Sequence, residues 1–506
     1  MNNNKLYAFI LSLLVGFISL SSEILWVRLV SYTFKTLPQA FSVVLILFLL
    51  GIALGSFYGK DYCKNEQNDL YKISFYILLI SSVSDIIFLY IALTIDNSNL
   101  IPVFFLAIFF SAFLKSMIFP IAHHLGTKSI KIGRSVSFIY FGNILGATLG
   151  PIFTGFIFLE YLTTINTFIL LSLITIAIAI FSYSLIKIKN KKEIIAIVFV
   201  SLSILFFINI LENKNLSLLI SQKASVFNIE NRHGIIDVFE NENKDKIVYG
   251  SGMYDGAINT NLHHDINIIK RAYKIATFKN PLENILVIGL STASWVKVIS
   301  TIPSIKNITV VEINPGYIEL IKKYELKTLL NNPKINFIYD DGRRWLKRNP
   351  TKKFDAIIMN TTWHFRNNIS NLLSKQFLEL AKQSLVKDGF IYYNSTSSME
   401  VFKTATLVFD NVHRYLNFII ASNIKVALPK SESINKLLKL KDEKNQNIFD
   451  ANNKKDMDAI NKLLDIPLET FDEASKKEQI ETLIIEDKNP VNEYKRGYFY
   501  YLSRTN

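Results

Sequence analysis

Val287-Ile-Gly-Leu-Ser-Thr-Ala-Ser294 is a short apolar run that stops at a glycine and passes into small residues. Such a run reads as a buried strand and a tight turn, with a helix opening near Trp295 whose N-terminus favours an anionic or hydrogen-bonding group. A second run ends in Val311-Glu-Ile-Asn-Pro315, about twenty residues on, where a dinucleotide-type fold accepts both ribose hydroxyls on a carboxylate. A third ends in Asp340-Asp-Gly-Arg-Arg344, whose carboxylate is placed for an adenine amino group. Around these tips the pattern predicts strands over 284–289, 308–313, 335–339, 356–360 and 390–394, alternating with helices to about 302, from 315, from 342 and over 372–385. That alternation defines an open, mainly parallel sheet with helices on both faces, which binds ligands beyond the carboxyl ends of its strands. A lone glycine turn is usually packing, and a strand-end Glu is often a solvated cap. The ordered trio is more specific and predicts a nucleoside site built from Gly289, Ser291, Glu312, Asp340, Asp341 and Gly342.

Upstream the texture changes. Alternating runs at 226–229, 235–239 and 246–249 predict antiparallel hairpins, followed by a helix around 266–277. Before residue 212 lie seven apolar blocks, at about 6–22, 39–58, 70–93, 100–122, 135–159, 163–186 and 193–210. A hydrocarbon core about 30 Å thick needs about 20 helical residues, so these blocks predict a multi-pass bundle. The first block has no convincing small-residue cleavage site and is read as a retained helix. Lys5, Lys60, Lys64, Lys72, Lys128, Lys131, Arg134, Lys187, Lys189, Lys191 and Lys192 fall on the side of the N-terminus, against Arg28 and Lys35 opposite. The positive-inside rule then puts the N-terminus in the cytoplasm of a cell-membrane protein. Seven crossings leave the second half outside, unless one block is re-entrant; the side of that half stays open. Glu23, Arg28, Asp85, Lys115, His123, His124 and Glu160 lie in or beside the blocks. They are either functional or ion-paired for packing, for example Lys115 with Glu23 or Asp85. Gly51–Gly55 and Gly146–Gly150 have the spacing that lets helix backbones approach.

Composition narrows the classes. Of 506 residues half are apolar and 19% charged, which excludes a disordered chain and one that is wholly cytosolic. The single cysteine, Cys63, cannot pair internally, and no Cys/His cluster has zinc spacing, so no metal site is predicted. The 56 basic against 42 acidic residues are spread through an Asn/Ile/Lys-rich chain without stacking aromatics, which argues against a nucleic-acid partner. The expected partners are a lipid bilayer and a small nucleoside ligand, with a homo-oligomer left open. The Lys-rich stretch 430–455 reads as an exposed, mobile insertion.

From Asp255 to Asn394 the sequence resembles the spermidine synthase family of aminopropyltransferases, in particular members fused to a polytopic N-terminal region. The matching stretches are Asp255-Gly-Ala-Ile-Asn259, VIG at Gly289, VEIN at Glu312, DDGRRWL at Asp340 and Asp341, and FDAIIMN ending at Asn360. Asn371-Leu-Leu-Ser-Lys-Gln-Phe377 and Asp487-Lys-Asn-Pro-Val-Asn-Glu-Tyr494 extend the likeness. It implies the S-adenosylmethionine-methyltransferase fold (Rossmann-like), S-adenosylmethionine or its decarboxylated form as substrate, and a contact from Asn259. The departures cluster. Thr292 replaces an acid of the family's glycine loop, and Asn360-Thr-Thr-Trp363-His364 replaces the DxxDP stretch, whose acids take a proton from the attacking amine and hold a cationic amine. Asn is no general base near neutral pH, and Trp carries no charge for an ammonium. The nucleoside side is thus kept and the polyamine side altered.

The expected architecture is an all-α transmembrane bundle over 1–212, a small antiparallel β domain over 222–262 and a Rossmann-like domain over 263–506. Asn360, His364 and His264 are the candidate catalytic positions. An imidazole titrates near neutrality, so His364 is read as a base or as packing, and His264 as a donor or acceptor contact or a surface residue. Arg343 and Arg344 either meet an anionic acceptor or form a solvated helix face. The function expected is a membrane-bound alkyl transfer, of the aminopropyl type, to an unidentified acceptor. A non-catalytic membrane protein that senses a nucleoside or docks a partner is the alternative.

Overall fold

The computed structural model describes residues 3–65, 67–95, 100–127, 132–186, 188–212, 214–221, 223–278, 281–360, 362–478 and 482–495. Lys128, Lys131, Lys187 and Thr361, used above, lie outside them. The chain divides into two compact units, Met1–Asp237 and Val238–Asn506.

The first unit is helical: α1 (Asn3–Thr33), α2 (Gln39–Gly59), α3 (Leu70–Thr94), α4 (Leu100–Ser116), α5 (Ile118–Gly126), α6 (Ile132–Phe153), a π turn running into α7 (Leu159–Tyr161), α8 (Thr164–Ser184) and α9 (Lys191–Leu211). Seven of its helices or helix pairs are long and apolar enough to cross a membrane. The first is longer than expected: Glu23 to Thr33 continue α1 for three more turns, because no proline interrupts the stretch from Leu6 to Thr33. Small residues set the spacing. A Cβ on Gly51 would meet the Phe109 carbonyl oxygen at 2.7 Å, and Cβ atoms on Gly146 and Gly150 would overlap the carbonyls of Leu13 and Phe17. Glycine therefore brings α2 against α4 and α1 against α6, the packing role expected of both pairs. Inside, the Lys115 ammonium meets Asp85 Oδ2 at 2.7 Å with both side chains buried, one of the two pairings expected. Outside, the helices carry bare apolar faces; Phe199 is 70% exposed and Ile195 65%. Two short strands, β1 (Phe227–Asn231) and β2 (Gly234–Glu240), follow α9, and the division between units falls inside β2.

In the second unit β3 (Lys246–Gly250) and β4 (Met253–Ala257) form an antiparallel hairpin. The helix expected over 266–277 is instead broken: Asn267 and Ile268 take positive φ, leaving only α10 (Lys270–Lys274) between 3-10 turns. Then come β5 (Asn284–Ile288), α11 (Ser294–Ser300), β6 (Asn307–Glu312), α12 (Gly316–Lys323), β7 (Ile335–Tyr339), α13 (Gly342–Arg348), β8 (Phe354–Met359), α14 (Lys375–Gln383) and β9 (Leu385–Asn394). The unit closes with α15 (Met399–Thr406), β10 (Asn411–Tyr415), β11 (Phe418–Ser422), α16 (Lys430–Leu438), α17 (Lys454–Leu464), β12 (Glu469–Thr470), α18 (Phe471–Glu478) and α19 (Val491–Lys495). The sheet order is β12-β10-β11-β9-β8-β5-β6-β7, parallel from β7 to β9 and antiparallel where β11 joins β9 and β10 joins β11. One face packs on Trp345, Phe377 and Phe402, the other on Trp295, Tyr392 and Phe418. The stretch 430–455 is no loose insertion: it carries α16 and is anchored by buried Leu437, Leu440 and Phe449. The fold class read from the sequence, an all-helical region followed by an α/β domain, is the one observed.

Candidate active site

Strand order reverses between β5 and β8, which run parallel, so the connections after these strands leave in opposite directions and a crevice opens at their carboxyl ends. After β5 the chain turns through Gly289, Ser291 and Ala293, all at positive φ (87°, 48° and 61°). An L-residue in this region costs about 1–2 kcal/mol, so Ser291 and Ala293 hold a glycine-type turn under strain. Ser291 Oγ donates to the Asp255 carbonyl at 2.7 Å, and Ser294 Oγ accepts from the Asn259 backbone N–H at 3.1 Å, tying the turn to the end of β4. Thr292 is buried and accepts from the Ser294 N–H of its own turn.

Glu312, at the tip of β6, is buried, with Oε2 accepting from the Leu290 N–H at 2.7 Å and Oε1 from the Asn314 N–H at 2.8 Å. Burial lifts its pKa to about 7 against the pull of these backbone donors, and neighbouring Asp255 lifts it further. Asp341 caps α13, accepting from the Arg344 N–H at 2.7 Å, and Asp340 is ion-paired to Arg344. Gly342 lies against Ile288, where a side chain would clash. The glycine turn and the Glu312 tip are thus hydrogen-bonded together, while Asp340 and Asp341 serve their own helix. Asn259 is spent within its loop, donating to the His264 carbonyl at 2.6 Å.

A cleft of about 380 Å³ opens beside this turn. Asp255, Arg271, Asn360, Trp363 and Asn394 line it; Glu312 and Asp341 do not. The Asp255 carboxylate accepts from Tyr317 Oη at 2.5 Å, and burial raises its pKa against that bond and the field of Arg366. Among the candidate catalytic positions only Asn360 borders the cleft. His364 is buried one layer back, with Nδ1 2.7 Å from Oγ1 of Thr396, which does line it. His264 is exposed and bonded to Asp245 at 3.0 Å, and it is not among the lining residues. Arg343 is held bidentately by Asp487 at 2.7 and 2.5 Å, and Arg344 by Asp340, so both arginines, read as meeting an anionic acceptor or forming a solvated helix face, are engaged in ion pairs. The tail motif clamps the loop after β8: Glu493 accepts from the N–H groups of Asn368 and Ser370.

Asp255 was visible in the sequence only as part of a motif, and Arg271 carried no signal. Arg271 reaches the cleft because the chain breaks at Asn267 and Ile268 just before it, and Asp255 because it sits on β4, which Ser291 ties to the turn after β5.

A parallel sheet whose strand order reverses between β5 and β8, with an acid at the β6 tip and a glycine-type turn opposite, defines an open α/β fold with a ligand crevice at its strand ends. Residues 273–450 match the model of the spermine/spermidine synthase domain. The polyamine aminopropyltransferase of Clostridium botulinum (strain Eklund 17B / Type B) is 30% identical over 132 residues, 26% of this chain and 44% of that protein. That of Sulfurisphaera tokodaii is 27% identical over 142 residues, 46% of its length; the chain thus spans under half of each of these relatives. That of Oceanobacillus iheyensis is 20% identical over 390 residues, 74% of each chain, more than the whole stretch after residue 212 contains. Spermidine synthase from Thermotoga maritima superposes with a TM-score of 0.35 at 13% identity, covering 55% of this chain and 87% of that one.

Proposed function

We propose that the chain is a membrane-spanning transferase that takes S-adenosylmethionine or, as in aminopropyltransferases, its decarboxylated form, and alkylates an amine. The observation that carries this is the cleft at the carboxyl ends of β8 and β9, with Asp255 on its wall beside the Glu312 turn. The Glu312 carboxylate has lone pairs left for ribose hydroxyls. A sulfonium is already activated, so the domain's task is to align the amine with the S–CH₂ bond. The amine lone pair forms the new N–C bond, the C–S bond breaks, its electron pair stays on sulfur, and a neutral thioether leaves. The proton lost by nitrogen passes to Asp255, which serves as the base where Asn360 cannot, and on to solvent. The bare apolar faces of the seven helices support the membrane reading.

Asp255→Asn tests the mechanism: turnover falls about 10²–10⁴-fold while binding of methylthioadenosine is unchanged. Asn360 favours a second reading, in which the domain senses a nucleoside without turning it over. Nucleoside binding by calorimetry, with no thioether released for any amine offered, is the outcome that selects it.

A further inference from the structure

Resting on the transferase reading above, the charges of the cleft identify the class of acceptor. A polyamine brings two or more ammonium groups and needs at least two carboxylates. Among the lining residues there is one carboxylate, Asp255, and one guanidinium, Arg271; the other polar members are neutral amides and hydroxyls such as Asn267, Asn394 and Asn417. Arg271 is 95% buried (5% exposed). Its Nε donates to the Ile268 carbonyl at 3.0 Å, Nη1 to Asn417 Oδ1 at 2.8 Å and Nη2 to the Asn267 carbonyl at 2.5 Å. Phe418 and Trp295 flank the guanidinium, with centroids 5.0 and 5.9 Å away. Every one of these partners is neutral. Among the described residues no carboxylate stands within ion-pair distance of Arg271, and burying a cation without a counter-ion is costly. Neutral acceptors fix the plane of the guanidinium, and Asp265, which acts on it from beyond ion-pair distance, is itself paired to Lys270, so the charge is left to be balanced from the cleft. On the other side, the field of Arg366 already offsets part of the Asp255 charge, which weakens that wall further for a polycation.

We infer that the acceptor is a zwitterion of the α-amino-acid class, its carboxylate on Arg271 and its amine directed to Asp255. The pairing explains why the acids that resemblance to aminopropyltransferases leads one to expect are missing together: a molecule carrying its own carboxylate would be repelled by them.

The test uses the full-length protein in detergent with decarboxylated S-adenosylmethionine or S-adenosylmethionine, and reads thioether release. The common α-amino acids are compared one by one with the amines left when each loses its carboxylate, ornithine against putrescine and lysine against cadaverine included. The best acceptor is expected to be an amino acid, at least tenfold better in kcat/KM than its decarboxylated partner. Arg271→Gln should raise KM for that amino acid at least tenfold more than for the matched amine, and be partly rescued by Arg271→Lys. An amine that equals or exceeds its parent acid, or a variant that loses both equally, overturns the inference. Should Arg271→Gln fail to fold, the wild-type ratio alone decides. A wild-type protein that binds neither nucleoside nor methylthioadenosine defeats the transferase reading itself, a result distinct from a preference for diamines.

Discussion

At Glu312 burial and two backbone N–H groups pull in opposite directions, and burial wins. The carboxyl is half protonated near pH 7 instead of near the usual carboxylate range. In the proposed site ribose hydroxyls would donate to the ionised form, so affinity for a nucleoside is expected to be full above that pH and to be lost as pH falls through it, by about tenfold per unit. Glu312→Gln should bind weakly with a flat profile; calorimetry of methylthioadenosine from pH 5.5 to 8.5 reads both. Ala293 makes a second case. In α14, Ala381→Gly sacrifices about 1 kcal/mol of helix propensity and about 0.8 kcal/mol for a buried methyl. At Ala293 the same methyl is lost, but release from φ 61° returns about 1–2 kcal/mol. Ala293→Gly is therefore expected to leave the melting temperature nearly unchanged where Ala381→Gly lowers it by several degrees.

Elements were legible where one period dominated. The strand at 335–339 and the helix opening at Gly342 lie where the apolar pattern puts them, because β7 is flanked by polar turns and Asp341 caps the helix. The stretch 266–277 has a helical pattern too, yet Asn267 and Ile268 break it; positive φ is unusual for a β-branched residue, and only tertiary contacts explain it. Arg271 anchors that bend by holding the Asn267 and Ile268 carbonyls, so the break and the cleft are one feature. The cleft itself gathers residues from four separate segments, 254–271, 360–363, 394–397 and 416–417, a convergence no local pattern encodes. Glycine spacing in the bundle was legible, and it can be checked within α6. Gly146→Ala drives a methyl into the Leu13 carbonyl and should lower the melting temperature, whereas Gly133→Ala meets nothing within 4 Å and should be neutral or stabilising by up to about 1 kcal/mol.

For the molecule as a whole the open quantity is sidedness. Were all seven apolar helices to cross, the two ends of the helical unit would lie on opposite faces. With Cys63→Ser as background, single cysteines at Lys5 and Lys214 should react with an impermeant maleimide from opposite sides of intact vesicles. Labelling from one side would mean an even number of crossings and would move the transferase domain to the face of the N-terminus.

Three of the four tryptophans, Trp26, Trp295 and Trp345, are sunk in packed interiors, whereas Trp363 stands on the cleft wall. The protein therefore carries its own optical probe: an occupant that changes the surroundings of that one indole should change the intrinsic emission, so occupancy can be titrated without a label and without waiting for turnover.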